Sequence, residues 1–93
     1  MTPNDVLRET RSEAGKTLGE MAEALDTSNQ RVSQWEHGDP IPLERIRAWA
    51  NEKRFPVWVR VMAHQMWQAH LEQAHDELGR QIEELRTTVV RRQ

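Results

Sequence analysis

The chain has 93 residues, of which 37% are hydrophobic and 30% charged, with a formal net charge of −2 and a mean hydropathy of −0.88, so it has room for one compact domain and an appendage. It has no cysteine, no apolar stretch near the roughly 20 residues of a membrane span, and no signal-peptide pattern in Met1 to Asp5. These features exclude a disulfide scaffold and a membrane partner, predict a cytoplasmic protein, and leave oligomerisation as a route to stability.

Two short helices are predicted at the start of the chain. Thr2 can cap the first helix, with Pro3 at its first position, and Gly15 stops it. Thr17 and Glu20 open the second helix, because a threonine followed three residues later by a glutamate forms a capping box. The apolar faces are Val6 and Leu7 in the first helix, and Leu18, Met21, Ala22 and Leu25 in the second.

A third and a fourth short helix follow. Ser28 is the predicted cap of the third helix, which turns Val32 and Trp35 inward and ends at Gly38. The segment 39–42 contains two prolines and cannot be helical throughout. The fourth helix starts at Pro42 and ends within residues 51–54, and its predicted inward residues are Leu43, Ile46, Trp49 and Ala50.

The longest periodic segment covers residues 57 to about 90. Its first part carries enough apolar residues to dock a helix onto a small core. The alternating run Val57 to Val61 is also compatible with a short strand, but a helix is favoured because no turn signal follows before Gly79. The predicted docking residues are Trp58, Val61, Met62 and Met66, with Trp67 beside them.

The second part of this segment has a heptad pattern. Apolar residues recur at alternating steps of four and three, which is typical of a helix that pairs with another helix. His75 interrupts the pattern and is interpreted as a polar residue that fixes the register. The predicted dimerisation residues are Leu71, His75, Leu78, Ile82, Leu85 and Val89.

The second and third helices are separated by three polar residues, the spacing of a helix-turn-helix. Residues 17–38, TLGEMAEALDTSNQRVSQWEHG, resemble the Cro and phage-repressor type of helix-turn-helix, also called the xenobiotic-response-element type. The resemblance implies an all-α fold, a small lambda-repressor-like DNA-binding bundle, to which the heptad pattern adds a long C-terminal dimerisation helix. The residues that carry it are Met21, Ala22, Leu25, Ser28, Val32, Trp35, Glu36 and Gly38.

Three residues depart from the family's pattern. Leu18 stands where the family often has a phosphate-binding glutamine, and Asp39 stands where it often has a lysine or arginine. Asp26 occupies a turn position that is usually glycine, and aspartate tolerates the left-handed conformation less well than glycine does. The resemblance also implies that Glu36 binds within the fold, since a carboxylate aimed at DNA would repel it.

Side chains that point away from Val32 and Trp35 are the candidates for reading bases. Amides offer a donor and an acceptor together, as adenine requires, although outside a helix-turn-helix they would merely keep a surface helix soluble. The predicted base-reading residues are Asn29, Gln30, Arg31, Ser33 and Gln34. The predicted phosphate-binding residues are Lys16, Thr17, Ser28, His37, Arg45 and Arg47.

Charge and histidine spacing limit the other functions. Residues 1–54 carry eight basic and ten acidic side chains and residues 55–93 carry five of each, so DNA binding requires the basic groups to converge in the fold. His64, His70 and His75 lie six and five residues apart, and none of these pairs has the i, i+4 spacing of a helical metal site. We therefore expect no metal, no cofactor and no enzymatic activity.

The sequence predicts a DNA-binding domain over residues 1–54 and a helical dimerisation segment over residues 55–93. The predicted function is a bacterial, plasmid or phage transcriptional repressor that binds double-stranded DNA as a homodimer. Its operator is expected to be an inverted repeat. Its own promoter is expected to be among the promoters that it represses. The alternative is an antitoxin-like interaction protein, in which the C-terminal helix binds another protein and DNA binding is secondary.

Overall fold

The structure, a computed structural model, describes residues 1–92, with side chains up to residue 88. Over that range all regular secondary structure is α-helix, and the run from Val57 to Val61 is helical. The five helices are α1 (Pro3–Glu13), α2 (Leu18–Ala24), α3 (Asn29–Glu36), α4 (Leu43–Asn51) and α5 (Val57–Arg92). The predicted all-α bundle with a long C-terminal helix is therefore confirmed.

One core joins all five helices. α1 packs on α3 and α5, α2 packs on α3, and α4 packs on α5. At its centre the Trp35 and Trp49 rings meet edge to face, with centroids 5.6 Å apart, and Trp49 Nε1 donates a hydrogen bond to the Leu25 carbonyl at 3.1 Å. The buried apolar residues are Val6, Leu7, Met21, Ala22, Leu25, Val32, Trp35, Ile41, Ile46, Trp49, Ala50, Phe55, Val59, Met62, Ala63, Met66 and Ala69.

The first half of α5 belongs to this core, but with a different face inward from the one predicted. Val61 is 51% exposed, whereas Val59 is fully buried. The buried residues 59, 62, 63 and 66 follow the helical i, i+3, i+4, i+7 spacing, which places Val61 on the opposite side of α5. The prediction for Val61 was wrong, and the globular packing extends to Ala69.

Leu43 was also predicted to lie inward and is 41% exposed. It is the first residue of α4, and helical side chains tilt toward the N-terminus. Its side chain therefore projects beyond the end of the helix, whereas Ile46, Trp49 and Ala50 lie one or two turns further along and are buried.

Two predicted helix starts are capping boxes. The Thr2 hydroxyl accepts a hydrogen bond from the Asp5 N–H at 3.1 Å, and the Asp5 carboxylate accepts one from the Thr2 N–H at 3.0 Å. Thr17 and Glu20 form the same reciprocal pair at 3.1 and 3.0 Å. In both boxes the hydrogen bond from the threonine backbone N–H is the main cause of a lowered carboxyl pKa.

We expect acid to destabilise the protein partly through these two carboxylates. The ordinary pKa values are 3.8 for Asp5 and 4.5 for Glu20, and in the folded protein both pKa values are lower. The two carboxylates therefore stabilise the fold fully at a pH above the ordinary values. This stabilisation is lost as the pH falls through the lowered pKa values of the folded protein. A variant with Asp5→Asn and Glu20→Gln keeps an acceptor but does not titrate. Its free energy of unfolding, measured by urea denaturation from neutral to acidic pH, should fall less steeply than that of the wild type.

The matched control is Glu9→Gln, which changes an exposed glutamate in α1 outside both capping boxes. This variant should keep the wild-type slope of unfolding free energy against pH. An unchanged slope in the Asp5→Asn, Glu20→Gln variant would show that the capping carboxylates do not contribute to acid denaturation.

Candidate nucleic-acid interface

The outer surface of α3 is polar and open. Val32, Trp35 and Glu36 are buried, so the rest of the helix surface faces solvent. Ser33 is half-buried at the edge of this surface. Its exposed side chains are Asn29, Gln30, Arg31 and Gln34. Four of the five predicted base-reading residues therefore lie exposed on one helix, and Ser33 borders them.

The beginnings of α2 and α3 lie next to each other. A Cβ atom built on Gly19 would be 3.7 Å from the Asn29 amide nitrogen and 3.8 Å from the Thr17 hydroxyl. These three residues are therefore neighbours, although Asn29 follows Thr17 by a whole helix and turn. We call the exposed surface of α3 formed by Asn29, Gln30, Arg31 and Gln34 the α3 face. Thr17 and Gly19 lie beside it at the start of α2.

The turn between α2 and α3 uses a left-handed residue. Asp26 has a φ of 57°, at the position where the family that the sequence resembles usually has glycine. Ser28 then caps α3, as predicted, with its hydroxyl oxygen accepting from the Arg31 N–H at 3.2 Å. That bond leaves the Ser28 hydroxyl hydrogen available to donate to a phosphate oxygen.

Two further predicted phosphate-binding residues already have partners within the fold. The Thr17 N–H donates to the Glu20 carboxylate, so a phosphate at this N–H would have to replace that bond. Nδ1 of the exposed His37 lies 2.7 Å from the Ser33 carbonyl oxygen. Because a carbonyl only accepts, Nδ1 carries the hydrogen, and in the neutral ring Nε2 is then an acceptor, which cannot bind a phosphate oxygen.

Three predicted phosphate-binding cations lie at the edges of the domain. The Lys16 ammonium is 4.8 Å from the centre of the Trp58 ring, and the Arg47 guanidinium is 5.7 Å from the centre of the Trp67 ring. Both tryptophans belong to α5, so these cation–π contacts hold the two side chains against α5. Arg45 is half-buried and lines a groove together with Asp26.

The sequence prediction missed Arg11, which links three parts of the domain. It binds the buried Glu36 carboxylate through Nε at 2.8 Å and Nη2 at 2.9 Å, and its Nη1 donates to the Lys16 carbonyl at 3.1 Å. The hydrogen bond to Glu36 raises the pKa of Arg11. Arg11 thereby ties α1 to the end of α3 and to the residue before the cap of α2, which fixes the α3 face relative to α2. The predicted structural role of Glu36 is confirmed.

Asn4 was missed as well. Its side-chain amide donates to the carbonyl oxygens of Trp35 and Asp39, both at 2.7 Å. These bonds attach the end of α3 to α1. No local sequence pattern marks Asn4 or Arg11, since the residues at the end of α3 that they bind lie 25 to 35 residues away along the chain.

The predicted dimerisation residues form a strip on α5. Leu71, Leu78, Ile82 and Leu85 are 45% to 65% exposed, and His75 is exposed beside them. The side chain of Val89 lies outside the described residues. Among the described residues of the single chain, none of these side chains packs against the hydrophobic core.

Residues 7–52 match the helix-turn-helix family model, so this segment belongs to the Cro and phage-repressor type of helix-turn-helix proteins. The protein is accordingly a DNA-binding transcription regulator. No curated protein and no solved structure matches the chain significantly. Among the described residues, no helix is both long and apolar enough to cross a membrane.

Replacing Lys16 with alanine tests whether this lysine binds a DNA phosphate. If the ammonium leaves Trp58 to bind a phosphate, Lys16→Ala should weaken binding to specific and random DNA similarly. It should also lower the slope of log affinity against log salt by about one. The matched control is Lys53→Ala, which removes the other lysine of the chain. Equal salt slopes in wild type and Lys16→Ala would show that Lys16 stays on Trp58.

Proposed function

We propose that this protein is a sequence-specific transcriptional repressor that binds an inverted-repeat operator as a homodimer. Its own promoter is proposed to be among its targets, in the cytoplasm of a bacterial cell or one carrying a phage or plasmid. The proposal rests mainly on the exposed amides of the α3 face, which lie within a helix-turn-helix.

Base reading is assigned to the α3 face. Asn29, Gln30 and Gln34 each carry a donor and an acceptor at fixed spacing, which suits the N6 and N7 edge of adenine. Arg31 is placed to reach either guanine or a phosphate. The pairing of Arg11 with Glu36 supports this assignment, because it attaches the end of α3 to α1 through the buried side of α3. The bound protein would act by covering the promoter, without a catalytic step.

A dimer is expected on energetic grounds. One module of this size buries too little DNA surface for high affinity. Two linked modules gain through effective concentration, which raises overall affinity without new contacts. The exposed strip on α5 supplies an apolar surface for joining the two chains.

The same strip supports a second candidate, an antitoxin-like protein whose C-terminal helix binds a different protein. The two functions share the α3 face and differ only in what covers α5. Sedimentation of the purified chain distinguishes them. A dimer supports the repressor, and a monomer that becomes stable only with a partner supports the antitoxin-like protein.

An electrophoretic mobility shift with DNA from upstream of the protein's own gene tests the proposed function. We expect a complex that survives an excess of random competitor DNA and disappears with a scrambled version of the same fragment. Equal retardation of the upstream and scrambled fragments would contradict sequence-specific repression.

A further inference from the structure

The exposed apolar strip of α5 is longer than the heptad pattern predicted from the sequence. Over residues 57–88, every exposed large apolar side chain of α5 falls on one frame with alternating steps of four and three. The frame includes Val57 and Val61, beside the DNA-binding domain. Its apolar members are Val57, Val61, Leu71, Leu78, Ile82 and Leu85, and its polar members are His64, Gln68 and His75.

The domain does not cover this strip, because it packs on the other side of α5. Val59, Met62 and Met66 are buried against the core, whereas Val57 is 71% exposed. Met66 follows Val57 by nine residues, or about two and a half helical turns, so the two side chains point in opposite directions. A second helix could therefore lie along the whole strip without displacing α1 or α4.

The length of the strip favours another long helix as its occupant. Leu71 to Leu85 spans about two heptads, whereas a coiled coil is typically sustained over about three or four. Val57 to Leu85 spans about four heptads, or roughly 42 Å at 1.5 Å per residue. Residues 55–93 carry five basic and five acidic side chains, so two copies of this segment have no net charge that would drive them apart.

The residue types along the strip favour a parallel pair. In this frame Val61 and Ile82 occupy a positions and the leucines occupy d positions, a combination typical of parallel two-stranded coiled coils. Gln68 and His75 are also at a positions, and His64 is at a d position. In a parallel, in-register pair each meets its own copy, whereas in an antiparallel pair a positions face d positions, and these polar groups would be buried against apolar residues such as Leu71 or Leu78.

We propose that α5 pairs in parallel and in register with α5 of a second copy along the whole strip from Val57 to Leu85. The part of α5 beside the DNA-binding domain is then as much a part of the interface as the distal half. The two domains lie side by side at one end of the pair, as two half-sites about 34 Å apart on one side of the duplex require. This inference rests on the proposed homodimer and specifies its surface and orientation.

Single cysteines test this arrangement directly, because the chain has none of its own. A disulfide needs Cα atoms within about 7 Å, which only facing residues of the pair satisfy. Val61→Cys and Leu85→Cys lie near the two ends of the strip and Leu78→Cys lies between them, all at exposed positions outside the core. The control is Arg80→Cys, which lies only two residues from Leu78 but on the outer side of a parallel pair. Each full-length variant is oxidised at low concentration and its mass is measured under non-reducing conditions.

The proposal predicts doubled mass for Val61→Cys, Leu78→Cys and Leu85→Cys, and single mass for Arg80→Cys. A cross-link at Leu85→Cys but not at Val61→Cys would overturn it by confining the interface to the distal half. A cross-link only in a mixture of Val61→Cys with Leu85→Cys would show antiparallel pairing and would also overturn it. Monomers throughout, with helical content intact by circular dichroism, would overturn the homodimer itself. Because no DNA is present, these results are separable from a failure of operator binding in the mobility-shift assay.

Discussion

A chain carrying both Leu78→Asp and Leu85→Asp is expected to be monomeric and to bind its operator about 10²- to 10⁴-fold more weakly than the wild type, because avidity is lost. In the single chain these side chains are 56% and 65% exposed, so the substitutions disturb no core. In the paired helices they would bury four carboxylates without partners, at a cost of several kcal/mol each. Sedimentation equilibrium gives the mass, and a mobility shift gives the affinity.

The matched control is the pair Arg80→Asp and Thr87→Asp, which places two aspartates seven residues apart on the outer side of α5. This variant should remain dimeric. The monomeric variant should keep its DNA-binding domain folded, because the core is complete by Ala69. A dimer mass for the Leu78→Asp, Leu85→Asp variant would show that the chains meet on another surface.

Replacing the glutamines of the α3 face should weaken specific binding while leaving stability unchanged. Gln30→Ala and Gln34→Ala are each expected to cost about 1 to 3 kcal/mol on the operator, because each removes a donor and acceptor that read a base edge. Both side chains are exposed, and substitutions of exposed residues usually change stability very little, so the melting temperature should stay close to that of the wild type. Fluorescence anisotropy with operator and random duplexes measures the two affinities.

Gln65→Ala is the matched control, since it removes an exposed glutamine from α5, away from the α3 face. Its operator affinity should equal that of the wild type. If Gln30→Ala and Gln34→Ala weaken operator and random DNA equally, these glutamines do not read bases.

The short helices were predictable from sequence because their determinants are local. The residues of each capping box lie only three apart, and Thr2, Thr17 and Ser28 cap the helices that the sequence assigned to them. The inward residues of α2 and α3 were likewise predictable from helical spacing. Asp26 is left-handed at the position directly after the C-cap of α2, where helices commonly end in a left-handed residue.

The contacts that position the α3 face were not predictable, because they join residues distant in sequence. Arg11 binds Glu36 across 25 residues, and Asn4 binds carbonyl oxygens 31 and 35 residues away. The cation–π contact between Lys16 and Trp58 likewise depends on how α5 packs against the rest of the domain. The face of α5 was misjudged because Val57, Val59 and Val61 alternate and Val61 was grouped with Met62. The spacing of Val59 to Met62, Ala63 and Met66 is the one that marks the inward valine.

Footprinting of the protein on DNA from its own upstream region tests most directly whether it is a dimeric, sequence-specific repressor. We expect protection of two half-sites related by an inverted repeat, with centres about 10 base pairs or a multiple apart on one side of the duplex. Random duplex should stay unprotected at physiological salt, because the basic contacts are few and the net charge is −2. Protection of one asymmetric half-site at saturation would contradict a symmetric dimer on the DNA, and equal protection of any duplex would contradict sequence-specific repression.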